Sequence, residues 1–458
     1  MKQFKYKIVS LLLIIVAFFV TSCELTDVTD IDPVYKISEN NVITNLNQAQ
    51  TVLDGTYGVL IDGEAFVTDL PALTSMMGLS MKPGVYGNKF ENQFFQNSVN
   101  SENYRLDVIY LKLYLLINNA NHVISKTAKL ETTNPRKQEI IAEAKILRGL
   151  AHFYLLRLWG EFYDTSSNNG IILQLEPVSS VDPKPKSTVS EAYSAILEDL
   201  EYGIQYGPDF NDALYTSNLL AKALKSKVLL YKKDYSAAAQ LALEVLDSNE
   251  RTLETNFGDI FTKKTTNPNE VLFLTPFDNE NDRNNKTFFD MLIYTLSDYY
   301  VTNLTADTRK SAAISTNPYF GTPRNNKFVD PTNMQGPDTE YVLRLGEVYL
   351  IYAEAVLRGN DDIIKSQDAL NKIRVRVGKT LLSISDKEIL LKEIRNEKFL
   401  ELGAESGEDW FDLVRYYKEG TIDINDYKPL ASDSKLILPF PFKTVLASNN
   451  ILIQNTGY

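Results

Sequence analysis

Five acids crowd the stretch Leu400 to Leu413 (LELGAESGEDWFDL): Glu401, Glu405, Glu408, Asp409 and Asp412. A glycosidase needs two carboxylates about 5–10 Å apart as acid and base, and helical spacing sets Glu397, Glu401 and Glu405 on one face. Arg395 and Arg415 lie close by, however, and carboxylates in such company form ion pairs and helix-end contacts. The expectation is a structural role and no enzyme. Other catalytic patterns are missing as well. His122 and His152 are the only histidines, and neither has a second His at i+4, so no HExxH-type zinc site exists. Glycine-rich phosphate loops and G-x-S-x-G are absent, and Ala404-Glu405-Ser406-Gly407 lacks the strand-turn-helix context of a nucleophile elbow. Asp278 to Asn285 (DNENDRNN) starts like a calcium loop, but Arg283 stands where the turn needs Gly and Phe289 where a bidentate Glu belongs. No metal and no cofactor are expected.

The elements around these residues are helical. In Asn218 to Asp247, Leu220, Ala223, Leu224, Val228 and Tyr231 share one face and Ala238, Leu241, Ala242, Val245 and Leu246 another. Lys232 to Tyr235 joins the two helices, and the D-Y-S-A-A junction resembles that of tetratricopeptide repeats. One such hairpin cannot bury its own apolar face, so others must stack on it. The same periodicity predicts helices over Asn41–Leu60, Tyr104–Thr127, Lys137–Gly160, Val189–Tyr206 with Thr188 as N-cap, Leu345–Arg358, Ile363–Val377, Asp386–Glu405 and Trp410–Tyr417. Between them, residues 61–100 and 251–340 lose the period and read as irregular, apart from strand-like VLFLTPF. Long loops of that kind within a compact domain are usually functional or disordered. Trp159 and Trp410 fall inside helical patterns and read as core.

The first residues state an address. Lys2, Lys5 and Lys7 precede an apolar run from Ile8 to Val20, about 13 residues and too short for the ~20 of a bilayer-spanning helix. Val20-Thr21-Ser22-Cys23 ends it with small residues before the only cysteine of the chain, the pattern of a bacterial lipoprotein signal. Cleavage before Cys23 removes three lysines and no acid, taking the formal charge from −12 to −15. So acidic a chain has no basic footprint for nucleic acid. Glu24, Asp27, Asp30 and Asp32 would be repelled by anionic headgroups, so the segment after the lipid reads as a tether.

Several motifs, in order, resemble the SusD/RagB-like outer-membrane lipoproteins: DIDP before NLNQAQTVLDGTY; AEAKILRGLAHFYLLRLWGEFY; Asp307-Thr308-Arg309; YVLRLGEVYLIYAEAVLRGN with ALNKIRVRVG; IRNEKFLELGAESGEDWFDLVRY; and a terminal LPFP…NNILIQNTGY. Departures are small: Lys398 and Glu408 stand where the family commonly has Arg, and Trp159 where Tyr often precedes the Gly. The resemblance implies a mostly α fold, with tetratricopeptide-like helical hairpins forming a superhelical scaffold beside a less regular, loop-rich ligand-binding part. It implies a signal peptide over 1–22, a lipidated tether over 23–40 and one domain over 41–458 with loop-rich insertions at about 61–100 and 251–340. It implies a surface-exposed, lipid-anchored protein of the outer membrane that binds oligosaccharide and delivers it to a SusC-like TonB-dependent transporter. A peptide-binding receptor of the RagB kind, or a lipid-anchored scaffold without small ligand, are the alternatives. A sugar site needs flat aromatic faces for the C–H side of a pyranose and amide or charged groups for its hydroxyls. The irregular stretches supply Tyr86, Asn88, Phe90, Asn92, Phe94 and Phe95, then Phe288, Tyr299, Tyr300, Tyr319, Phe320, Arg324 and Asn325. Of these, Tyr86, Asn88, Phe90, Tyr299, Tyr319 and Arg324 are taken as the candidate ligand-binding set, with Cys23 as the lipidation site.

Overall fold

The structure, a computed structural model, describes residues 43–61, 65–178, 183–262, 268–275, 292–327 and 339–458. The signal peptide, Cys23, the tether over 23–40, the DNENDRNN segment and Phe288 lie outside the described residues.

Antiparallel helices stacked side by side make up most of the fold. They are α1 (Leu46–Gly58), α2 (Leu70–Met77), α3 (Lys89–Phe95), α4 (Tyr104–Thr127), α5 (Arg136–Trp159), α6 (Val189–Tyr206), α7 (Asn218–Tyr231) and α8 (Tyr235–Asp247). There follow α9 (Asp259–Thr262), α10 (Asp298–Asn303), α11 (Lys310–Ala313), α12 (Leu345–Asn360), α13 (Ile363–Arg376), α14 (Lys387–Leu402), α15 (Glu408–Lys418) and α16 (Phe442–Ala447). The expected helices therefore form within a few residues of their expected ends. Thr188 caps α6 by accepting from Glu191 N (3.1 Å) while Glu191 accepts from Thr188 N (2.7 Å), a complete capping box.

Neighbours in the stack run α4, α5, α6, α7, α8, α12, α13. Each helix packs on the next in sequence until α8, whose partner α12 lies about a hundred residues further on; the less regular chain leaves the stack there and returns. Small residues set the spacing. Ala238 and Ala242 of α8 are fully buried, and a side chain on Gly203 of α6 would strike Ile146 of α5 and Ala221 of α7. Trp159 and Trp410 are wholly buried, as their helical context predicts.

Among the described residues three two-stranded antiparallel ladders supplement the helices: β1 (Met81–Pro83) with β3 (Tyr294–Leu296), β2 (Val271–Leu274) with β6 (Tyr341–Arg344), and β4 (Ile314–Thr316) with β5 (Pro323–Asn325). Residues 65–95 correct the expected irregular excursion. They form a π-helical turn (Ala65–Asp69), α2, β1 and α3. Every residue of α2 is buried, so that helix has no polar face and no period to read. Among the described residues no helix is long and apolar enough to cross a membrane.

Candidate functional site

The second half of the irregular chain and the turn after β1 meet at one edge of the molecule. β1 runs against β3 with Met81 opposite Leu296 and Pro83 opposite Tyr294, and the pairing continues through Gly84 N to Ile293 O (2.7 Å) and Tyr86 N to Leu292 O (2.8 Å). A side chain at Gly84 would press into that carbonyl, so the residue must be small. The chain then turns, with Gly87 N donating to Gly84 O (3.0 Å), and leaves Val85 and Tyr86 exposed.

A second turn faces it. Between β4 and β5, Asn317 Oδ1 accepts from Tyr319 N (2.9 Å) and Phe320 N (3.3 Å), Gly321 N donates to Asn317 O (2.9 Å), and Gly321 takes φ +66°. Such a turn needs the Asx side chain and the glycine in those places. It presents Tyr319 at 73% exposure and Phe320 at 38%, and Phe320 meets the 60% exposed Tyr86 edge to face, with ring centroids 5.9 Å apart. Aromatic surface of that extent at a loop tip is what flat, half-polar ligands stack upon.

Buried ion pairs hold both turns in place. Behind the first, Arg105 Nη1 donates to both oxygens of Asp69 (2.7 and 2.9 Å), Arg105 Nε pairs with Glu91, and Tyr294 Oη donates to Asp69 (2.5 Å). Behind the second, Lys327 Nζ donates to Glu401 O (2.7 Å), Gly403 O (3.0 Å) and Glu405 (3.1 Å), and Asn325 Nδ2 donates to Ala404 O (2.8 Å). Burial pulls the Lys327 ammonium down to about 8 despite Glu405 beside it.

The carboxylates singled out in the sequence are all engaged in such contacts. Glu397 pairs with Arg309, Arg374 and Lys379; Glu401 with Arg309, Arg344 and Arg376; Glu405 with Arg344 and Lys327. Glu408 pairs with Arg157 and Lys227, and Asp412 with Lys398 and Arg415. Burial alone would raise the Glu401 carboxyl, but Arg376, Arg344 and Arg309 outweigh it and hold it well below the usual range. Asp409 Oδ2 accepts from Leu79 N (2.6 Å) and Ser80 N (2.9 Å), tying α15 to the start of β1. Arg395 takes no part in these ion pairs and donates to Tyr427 Oη (2.7 Å) instead. His152 is a packed histidine: burial lowers it to about 4, and Gln174 N donates to its Nε2 (3.4 Å). Among the described residues no cluster of His, Cys, Asp and Glu is placed to hold a metal ion.

The structure sorts the six candidate residues into three settings. Tyr86 and Tyr319 lie exposed on the two turns of the aromatic edge, and Phe320 of the second turn is in ring contact with Tyr86. Asn88, Phe90 and Arg324 make other contacts: Asn88 Oδ1 caps α3 at Phe90 N (2.9 Å), Phe90 packs edge-on against Tyr104 (4.7 Å), and Arg324 is buried in β5 opposite Ser315. Tyr299 is elsewhere, on α10 against Phe399. Tyr300 and Asn325 of the wider set are buried. Val85 went unnamed in the sequence reading because a lone Val in a loop carries no signal of exposure.

A stack of helical hairpins with an aromatic edge on braced turns, its acids held by cations and, at Asp409, by backbone amides, is an architecture suited to binding. Comparison with known proteins agrees. The family model described as "SusD family" matches residues 231–458, and the one described as "Starch-binding associating with outer membrane" matches residues 38–230. The chain belongs to the SusD family, whose members are binding proteins rather than enzymes. SusD-like protein P38 of Formosa agariphila is 24% identical over the whole of both chains, and a SusD-like protein of Bacteroides ovatus is 25% identical over 71% of this chain and 68% of its own. Among solved structures, a SusD superfamily protein from Bacteroides thetaiotaomicron superposes with a TM-score of 0.78 at 20% identity, covering 90% of this chain and all of that one. A laminarin-binding SusD-like protein does so with a TM-score of 0.77 at 21% identity, covering 91% of this chain and 100% of that one.

Proposed function

We propose that this protein captures oligosaccharide outside the outer membrane and delivers it to a SusC-like TonB-dependent transporter. The observation that carries the reading is the exposed Tyr86–Phe320–Tyr319 edge on two turns fixed from behind. Aromatic faces stack on the apolar side of a pyranose, and a rigid site loses little entropy on binding. The likeness to a laminarin-binding structure and the "Starch-binding" family description favour glycan over peptide. A scaffold without ligand is disfavoured, since its loop aromatics would be buried.

Cys23 carries the lipid, each buried methylene contributing about 0.8 kcal/mol of membrane attachment. The acidic tether holds the domain off the surface, and the repeat hairpins offer the face on which the transporter docks. Ligand held at a channel mouth needs only modest affinity, because capture raises its local concentration.

Calorimetry of the mature chain carrying Cys23→Ser, titrated with a panel of oligosaccharides and peptides, tests the ligand. A saturable glycan signal weakened at least tenfold by Tyr86→Ala with Phe320→Ala, at unchanged melting temperature, is the expected result. Peptide binding without glycan binding would refute it. Uptake of every tested glycan unchanged after deletion of the gene would refute the delivery role.

A further inference from the structure

Tyr299 borders a second cleft, at the opposite end of the β1–β3 ladder from Tyr86. Ser297 N donates to Ser80 O (3.0 Å) at that end, whereas Tyr86 lies past the other end, in the turn that follows Pro83. α10 starts immediately after β3 and carries Tyr299 against Phe399 of α14, with ring centroids 5.7 Å apart. Tyr427, just beyond the 3-10 turn Ile424–Asp426, lines the cleft as well. The cavity measures about 310 Å³, at the lower end of small-molecule sites and of the size of one or two sugar rings.

Its polar groups divide into those already engaged and those left over. Glu397, Glu408, Asp409 and Asp412 reach the lining but are held by the cations and amides described above. Arg395 is different. Its guanidinium lies over the Tyr427 ring (5.1 Å) and donates to that hydroxyl, and it has no carboxylate partner among the described residues. Asn396 and Glu393, on the same helix and also half-exposed, have no side-chain partner among the described residues either. From α14 the cleft thus offers one guanidinium, one carboxylate and one amide between aromatic walls, beside Asn303, whose Nδ2 donates to Tyr299 O (2.8 Å). A half-buried guanidinium is desolvated without a counter-charge, so a ligand acceptor there gains a charge-assisted hydrogen bond.

The ligand class follows from these leftovers. Their net charge is zero, and a sulfated or uronate sugar would place its anion near Glu393. A neutral sugar uses all three groups, because its hydroxyls accept from Arg395, donate to Glu393 and do both with Asn396. We propose that the cleft between Tyr299, Arg395 and Tyr427 is a second sugar subsite, taking a neutral pyranose residue independently of the Tyr86–Phe320 edge. It rests on the glycan-capture reading for its ligand class and differs from that reading in place.

The test is an array of neutral, sulfated and uronate oligosaccharides probed with four forms of the mature Cys23→Ser chain: the parent, Tyr86→Ala/Phe320→Ala, Arg395→Ala/Asn396→Ala, and the combination. The edge variant should retain saturable binding to neutral glycans, and the combination should lose it by at least tenfold. Residual binding that ignores Arg395→Ala/Asn396→Ala, that prefers the sulfated or uronate arms, or that is already absent in the edge variant overturns the subsite. Binding lost in the cleft variant but unchanged in the edge variant upholds the subsite and overturns the edge as the capture site. A parent silent on every arm overturns both readings. Glu393→Ala, at a side chain with no partner among the described residues, serves if the cleft variant fails to fold.

Discussion

Asp409 shows how much of this molecule hangs on single buried groups. One oxygen receives the amides of Leu79 and Ser80, and the cation that acts on it among the described residues is Lys428, whose ammonium donates to Met76 O and to Gly78 O (2.8 Å). Burial pushes the Asp409 carboxyl up to about 6, against the pull of those amides and of Lys428. The native state therefore holds a proton that the unfolded chain releases between about pH 4 and pH 6. The stability contributed by this group is complete below about pH 4 and lost as the pH rises through about 6. Asp409→Asn keeps an acceptor for both amides and cannot titrate. Urea midpoints measured from pH 4 to 6.5 should fall more steeply for the parent than for the variant; parallel curves would show that Asp409 is not the titrating group. The aromatic edge obeys another residue-scale rule. Tyr86, 60% exposed, buries little of itself, so its removal alone should cost binding and leave stability within about 0.5 kcal/mol, read from urea midpoints.

Within the elements, the ends of the helices carry the local instructions. α7 finishes in a two-bond reversal, Asp234 N to Leu229 O (2.9 Å) and Lys233 N to Leu230 O (3.1 Å), with Lys233 at φ +69°. That position favours Gly, and a side chain there costs about 1 kcal/mol. Lys233→Gly should raise the stability of the chain by roughly 0.5–1 kcal/mol in chemical denaturation. A loss would mean that the lysine side chain contributes a contact greater than its strain. Gly407, before α15, already has the matching residue: its φ is +73°, and any Cβ there would overlap Thr74 of α2. So the turn that starts α15 is fixed by the same packing that orders α2.

For the whole molecule the question is where it is held. In our reading the attachment is the lipid on Cys23. Cys23→Ser should shift the protein from the membrane to the soluble fraction on cell fractionation, with its glycan binding unchanged. Retention on the membrane would point to a protein partner as the anchor. The helical stack and the loop-bearing part are interlocked through α14 and α15, since Glu401 joins Arg309, Arg344 and Arg376 in one buried cluster. Residues far apart in the chain thus position the site together.

Helices with one apolar stripe were legible residue by residue, because a stripe repeats every three to four positions and states both the element and its buried face. So were the cap at Thr188, the turn at Asp234-Tyr235 and the membership of a lipoprotein family, each a local pattern. The all-buried α2 left no such pattern, and residues 65–95 became regular only against the rest of the fold. The acids of the Leu400–Leu413 stretch were legible as ion-pair formers, but not their partners: Arg157, Arg309, Arg344 and Arg376 lie tens to hundreds of residues away. Among the aromatics, composition named the candidates and could go no further. Whether a loop tyrosine is a platform or a packing residue depends on what lies across from it, and that is decided by chain closure over long separations. Tertiary structure alone set Tyr86 beside Phe320, buried Tyr300, and sent Tyr299 to a cleft of its own.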